Sequence, residues 1–290
     1  MSQDRLDSTL DIDLMTAFDI VRAIQEEDAR VTVSVAAERQ HIAQAIEQIA
    51  DRMRHGGRLY YAGAGTSGRI AMLDASELPP TYGIDPGTVQ VLMAGGSGAF
   101  GSAAEGAEDD EQAAIDAVNG SVRADDAVVG IAASGTTPYT VAAVRRANML
   151  GALTVGITSV PESPLARDVD IAIVAETGPE VIMGSSRMKS GTAQKLILNT
   201  LSTGVMIRLG RVYSNLMIDM PATNDKLRRR ALRMVELASG TSRDVAFRAV
   251  QGADGNLRAA TVMAALGVSA EMARQMLEEK RGDLRSLLKR

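Results

Sequence analysis

The 290-residue sequence contains no cysteine and no tryptophan. Without cysteine there are no disulfides, no thiolate metal sites and no cysteine nucleophile. Only two histidines occur, His41 and His55, both in polar stretches of helical character, which excludes a histidine-rich metal site. Aromatic residues make up 3% of the chain, so the core must be built from Ala, Val, Ile, Leu and Met. Such a core suits helices packed on a parallel sheet. No uncharged apolar run reaches the ~18 residues of a membrane span. The net charge of −5 argues against a nucleic-acid partner. The stretch Met1–Leu10 is polar and lacks the apolar centre of a secretion signal, so a soluble cytoplasmic protein is expected. The length allows one large or two small domains with an ample core.

Two textures alternate along the chain. Residues 12–54 read as two helices, with apolar residues at helical spacing in Leu14, Phe18, Val21 and Ile24, then Ile42, Ala45, Ile46 and Ile49. From residue 58, short apolar runs alternate with helical patterns: 58–62, 88–93, 126–132, 152–158 and 170–175. Near-continuous apolar runs are what parallel strands need when both faces are covered. The expected fold is therefore α/β, three layers around a mainly parallel five-stranded sheet. A long helix is predicted from about Gly191 to Leu209 and another over 224–239. The expected division is 1–55 as N-terminal helices, 56–220 as the sheet domain and 221–290 as a small helical region. In that last region Ser242, Ala246, Val250, Gly255, Leu257 and Arg258 recur 27 residues later as Ser269, Ala273, Leu277, Gly282, Leu284 and Arg285. Two helix–turn–helix units follow, with Gly255 and Gly282 as helix stops. The second resembles a small ubiquitin-associated type of fold, and a helical cap is the simpler reading of it.

The most informative stretch is Gly63-Ala64-Gly65-Thr66-Ser67-Gly68, placed between the apolar run Leu59–Ala62 and the helix-forming Arg69–Glu77. Strand, glycine turn and helix aim backbone N–H groups and a helix N-terminus at one point, which favours an anion. The spacing also fits a dinucleotide fingerprint. That reading wants a carboxylate after the next strand, and Ala94-Gly95-Gly96 stands there instead. A P-loop wants a lysine after the last glycine, and none follows. Thr66 and Ser67 suit the phosphate of a small molecule, although a plain βα turn has the same outline. A second loop, Ala133-Ser134-Gly135-Thr136-Thr137-Pro138, repeats the design after the third strand. Pro138 suits a first helical turn, and Ser134 or Thr137 could also act as a cap. Ligands of open α/β sheets bind where two such loops meet at the carboxyl ends of strands.

Three further segments are candidates. Glu105 and Glu108 follow the second strand, and their spacing would share one face of a helix; a solvated acidic turn is the alternative. Glu77 precedes Leu78-Pro79-Pro80, about ten residues beyond the glycine loop, or about 15 Å along a straight helix. For Glu77 to act on the same small ligand, either the helix stops at the prolines and folds back or Glu77 serves a neighbouring subunit. Gly184–Lys195 crowds Ser186, Arg187 and Lys189 at a helix start. Cations there oppose the helix dipole unless an anion is present, which makes Arg187 or Lys189 a candidate for a ligand carboxylate.

The hydroxyl loops on a parallel sheet resemble the SIS (sugar isomerase) phosphosugar-binding domain. The stretches GRLYYAGAGTSGRIAMLDASELPPTYG, EGAEDD, VVGIAASGTTPY, GPEVIMGSSRMKSGTAQKLILNTLSTGVMIRLG and NLMIDMPATNDKL are similar to the N-acetylmuramic acid 6-phosphate etherases, from about Thr9 to the C-terminus. The resemblance implies a lyase that eliminates D-lactate from C3 of N-acetylmuramic acid 6-phosphate and adds water. It places the family's two functional glutamates at Glu77, as the acid that protonates the departing lactate and later activates water, and at Glu108, as the base at C2. It implies substrate contacts from Gly65, Thr66, Ser67, Ser134, Gly135, Thr136, Thr137, Ser186, Arg187 and Lys189. It also implies a homodimer with its site at or near the subunit interface. The chemistry needs one acid, one base and no redox cofactor, and a metal is not required. Glu77 must then hold a proton, for which apolar neighbours Leu78, Pro79 and Pro80 are the expected cause. Two residues depart from the family pattern: Thr136 stands in place of a usual arginine, and Leu78 in place of a usual cysteine. Two alternatives share the domain: a phosphosugar-sensing regulator of a sugar kinase, which needs no glutamates, and a sugar-phosphate isomerase, which would release no lactate.

Overall fold

The computed structural model describes residues 4–102 and 104–288, so Met1–Gln3 of the polar N-terminal stretch lie outside it. Helices α1 (Ala17–Ala37) and α2 (Arg39–Arg54) come first. Thr16 caps α1 by accepting from the Asp19 N–H at 3.2 Å. Then β1 (Leu59–Gly63), α3 (Gly65–Tyr82), β2 (Val89–Met93), α4 (Glu111–Ser121), β3 (Ala127–Ile131), α5 (Pro138–Met149), β4 (Leu153–Thr158), α6 (Pro164–Arg167) and β5 (Ile171–Val174) alternate. After them come α7 (Lys189–Arg208), α8 (Asp225–Ser239), α9 (Arg243–Gly252), α10 (Leu257–Leu266), α11 (Ala270–Glu279) and α12 (Leu284–Leu288). All five strands lie where the apolar runs predict them. Among the described residues no helix is long and apolar enough to cross a membrane.

The chain divides into two compact units, one running through Ala75 and resuming at Gly87–Val205, the other Ser76–Pro86 with the chain from Met206 onward. The segment 206–220, expected with the sheet, thus belongs to the helical unit. In the first unit the sheet is parallel throughout, in the order β2-β1-β3-β4-β5. Every residue of β1, β3 and β4 is buried, while the outer strands β2 and β5 are only partly covered. This is why the inner strands read as unbroken apolar runs. The stripe of α2 is buried at Ile42, Ala45 and Ile49. That of α1 is not: Phe18 and Val21 are 75% and 51% exposed, and Leu14, in a 3-10 turn before the helix, is 80% exposed. Helical spacing identified a helix there, but not a face covered within the protomer.

Asp74 ties α3 to the sheet from inside. It is 5% exposed and accepts from Tyr61 Oη (3.0 Å), Asn199 Nδ2 (2.6 Å) and Ser202 Oγ (3.1 Å). Three donors stabilise a buried carboxylate that would otherwise be costly. Burial first, and then the Asp74 charge and hydrogen bond, push the Tyr61 hydroxyl well above its usual 10.0.

In the second unit, Arg258 donates to Asp219 Oδ1 and Oδ2 at 2.5 and 2.6 Å and to the carbonyls of Gly210 and Gly282. The 27-residue repeat is real as structure. Ala246 and Ala273 are both fully buried, and Gly255 and Gly282 both have positive φ after a helix. Its two arginines diverge, since Arg285 lies over the Tyr213 ring at 5.3 Å.

Because folding holds Tyr61 protonated, its contribution to stability is full below pH about 10 and is lost as pH rises through the folded value. Urea midpoints measured from neutrality to alkaline pH should fall in that range. Tyr61→Phe should flatten the fall; an identical decline in the variant would contradict this reading of Tyr61.

Candidate active site

The sheet order reverses direction between β1 and β3, and at such a switch point the flanking connections leave in opposite directions and open a crevice. Gly63 at the end of β1 pairs level with Ile131 of β3 and Met93 of β2. The two hydroxyl loops therefore leave neighbouring strands at the same edge, as the sequence predicts. The first loop turns at once into α3, so Thr66 and Ser67 stand in the first helical turn. Gly68 lets that turn sit on the strand: a Cβ there would lie 2.8 Å from the Gly63 carbonyl oxygen and 2.9 Å from Met93 Sδ.

The second loop is fixed by the connection after β4. Leu165 N–H donates to the Gly135 carbonyl at 2.9 Å, and Thr158 Oγ1 donates to that of Ala133 at 3.2 Å. Gly135 has φ +67°, and a Cβ on it would meet Ser163 Oγ at 2.1 Å. Thr136 donates its N–H and its hydroxyl to Ser134 Oγ, at 3.2 and 2.9 Å. Thr137 occupies the cap position of α5, yet its side chain makes no capping bond.

A cavity of about 360 Å³ opens beside the first loop, lined by Ala64, Gly65, Arg69, Met93, Glu105 and Glu108 among others. The two glutamates reach it without the predicted helical face. Gly106 adopts φ +71°, and only a single turn of 3-10 helix, Ala107–Asp109, follows. Ala107 and Ala64 pack against the cluster that contains Tyr139 of α5, which ties the acidic turn to both hydroxyl loops. Burial, then the charge of nearby Asp110, raises the Tyr139 hydroxyl above its usual value. Arg69, which sequence reasoning passed over, donates to the carbonyls of Ala99, Phe100 and Ser102 at 3.0–3.1 Å and shapes the cavity wall. A cation directly after the glycine loop was the available signal.

The start of α7 packs on the start of α3. A Cβ on Gly191 would stand 3.6 Å from both Thr66 and Ile70, and Ser67 Oγ donates to Gln194 Oε1 at 3.0 Å. The anion that the cations at this helix start require is the protein's own. Fully buried Glu180 accepts from the N–H groups of Lys189 and Ser190, both at 3.0 Å. Lys189 is 1% exposed and its Nζ lies 2.5 Å from Glu27 Oε2. Its charge is thus paired inside the protein, out of contact with solvent. Ser186 is half-buried, and Arg187 is exposed with no ion-pair partner among the described residues.

Helix α3 does not stop at Pro79-Pro80 but continues to Tyr82. The prolines only remove two N–H donors from it. A fold-back of Glu77 at the prolines therefore does not occur. Glu77 itself is exposed while Leu78 is buried, so the expected apolar cover is absent in the protomer. Glu77 and Glu108 fall in different units.

A model described as the SIS domain matches residues 101–203, and one described as the glucokinase regulatory protein N-terminal SIS domain matches residues 41–148. Among solved structures, the chain is similar to a phosphoheptose isomerase from Francisella tularensis (TM-score 0.52, 20% identity, 66% of this chain and 98% of that one). It is similar as well to phosphoheptose isomerase GmhA from Neisseria gonorrhoeae (TM-score 0.53, 18% identity, the same coverage). At these identities the likeness concerns the fold. Sheet order, loops and matches together define a protein of the SIS-domain class. Its sequence relatives are narrower. It is 55% identical over 269 residues to N-acetylmuramic acid 6-phosphate etherase of Symbiobacterium thermophilum, covering 92% of this chain and 89% of that protein. It is 48% identical over 290 residues to the protein of that name from Caldanaerobacter subterraneus subsp. tengcongensis, covering 100% and 95%. The chain belongs to the N-acetylmuramic acid 6-phosphate etherase family.

Gly135→Ala should lower folding stability by about 2–3 kcal/mol, from a strained backbone and a clash with Ser163. Urea denaturation measures it, and an unchanged midpoint would show that the second loop is not held as described.

Proposed function

We infer that the chain cleaves the D-lactyl ether of N-acetylmuramic acid 6-phosphate, giving N-acetylglucosamine 6-phosphate and D-lactate. The observation that carries this is identity of about half, over nearly the whole length, to proteins of that activity. A cavity at the carboxyl edge of the sheet, between the first hydroxyl loop and the glutamate turn, suits the reaction. The phosphate is assigned to Gly65, Thr66 and Ser67 of the first loop and Ser134, Gly135, Thr136 and Thr137 of the second, with helix N-termini behind both. Ser186 and Arg187 are assigned to the remaining polar groups, Arg187 to the lactyl carboxylate.

In the ring-opened sugar the C1 aldehyde acidifies the C2 proton. Glu108 removes that proton, and the electron pair forms the C2–C3 double bond as the C3–O bond breaks. The departing oxygen leaves with lactate and takes a proton from Glu77. Water, deprotonated by Glu77, then adds to C3 of the α,β-unsaturated aldehyde while Glu108 returns the proton to C2. One water is consumed, and the two carboxyl groups end in their starting states.

The second copy implied by the family reading supplies Glu77. Its exposure, the unbroken helix α3 and the bare apolar stripe of α1 all support a homodimer. A regulator that only senses phosphosugar would need neither glutamate, and an isomerase would release no lactate.

Incubation with N-acetylmuramic acid 6-phosphate should release D-lactate. Glu108→Gln and Glu77→Gln should each slow release by roughly a hundredfold or more, the ordinary worth of a general acid or base. No lactate at saturating substrate would refute the activity, and undiminished turnover would remove that glutamate from the mechanism. Mixing the two inactive variants and letting subunits exchange tests the shared site. A mixed dimer has one site with both glutamates, so about one quarter of wild-type activity should return. No recovery despite exchange would place Glu77 in its own subunit's site.

A further inference from the structure

Gln194 is 2% exposed, and its Oε1 accepts the hydroxyl proton of Ser67. Its Nε2 is buried and has no hydrogen-bond partner among the described residues. Buried amide donors are ordinarily paired, so an orphan one beside a ligand loop calls for a reason. The bond also faces Ser67 the wrong way for phosphate. A serine whose proton is given to Gln194 offers only lone pairs, and those repel a phosphate dianion.

We propose that Gln194 is a positioning residue that reverses the polarity of Ser67 when the phosphate binds. In the empty site Ser67 donates to Gln194 Oε1. When phosphate enters, the carboxamide turns half a revolution, and Nε2–H donates to Ser67 Oγ. The Ser67 hydroxyl proton is thereby released to the phosphate, and the orphan donor gains its partner. The two orientations of the carboxamide have the same shape, so the exchange needs no repacking. A hydroxyl that accepts from an amide is also a better donor to the anion, because a chain of hydrogen bonds polarises each member. The inference rests on Ser67 as a phosphate ligand.

The test separates that premise from the relay. Ser67→Ala should raise KM roughly tenfold with little change in kcat, the worth of one donor to a charged group. Gln194→Met, which keeps the shape and removes both polar atoms, should raise KM in the same direction. Added to Ser67→Ala it should change nothing further, because both act through one hydroxyl. Gln194→Glu, an acceptor only when ionised, should hold the Ser67 proton and raise KM most at neutral pH, with recovery in acid as it gains a donor. If Ser67→Ala leaves KM unchanged, the premise fails and the relay with it. If Ser67→Ala raises KM but Gln194→Met does not, or the double variant is additive, the relay is wrong and the phosphate cradle stands. In the unmodified protein, inorganic phosphate should shift the Gln194 side-chain amide resonance and slow its proton exchange. An unmoved resonance at saturating phosphate would overturn the proposal even if the variants fail to fold.

Discussion

Helix α3 can begin at the very end of β1 only because Gly63 and Gly68 carry no side chains. At either position a Cβ would run into the backbone of the other at 3.1 Å or less. This contact fixes the direction of the helix N-terminus and holds Thr66 and Ser67 at the sheet edge. The strand order then supplies the second half. With β1 and β3 adjacent and their connections leaving opposite ways, the second hydroxyl loop leaves the same edge of the sheet one strand away. The acidic turn after β2 lines the cavity beside the first loop. The placement of both hydroxyl loops at one sheet edge thus follows from one close approach and one topological reversal.

The protein distributes its buried charge so that this crevice stays available. The start of α7, crowded with cations, is satisfied internally by Glu180 and by the Lys189–Glu27 pair. Breaking such a buried pair by removing one partner leaves an uncompensated charge, so these residues hold α7 in place. Asp74 does the same for α3 with three neutral donors. In contrast, among the described residues the start of α5 has no side-chain cap and Arg187 has no ion pair.

What could be read from the sequence was what depends on neighbours in the chain. The five strands were legible because burial on both faces makes a run apolar without interruption. The hydroxyl loops were legible because strand, turn and helix are contiguous. The pairing of Lys189 was not legible because its partner Glu27 lies 162 residues away, and no local spacing carries it. Gln194 was invisible for the same reason, being matched to Ser67 across 127 residues. The exposed stripe of α1 shows the opposite limit, where helical period marks a face but not what covers it. The Pro79-Pro80 pair looked like a stop. It is tolerated inside α3 at the loss of two donors, because the helix on both sides is anchored by buried residues such as Asp74, Leu78 and Tyr82.

The central claim is that the ether is opened by elimination at C3 of the sugar and closed by water at the same carbon. Turnover of N-acetylmuramic acid 6-phosphate in water enriched in heavy oxygen, followed by mass analysis of both products, tests it directly. The account predicts one heavy oxygen at C3 of N-acetylglucosamine 6-phosphate and none gained by D-lactate, which keeps the former ether oxygen. Heavy oxygen in lactate, with an unlabelled C3, would mean that the bond on the lactyl side breaks and would contradict the account.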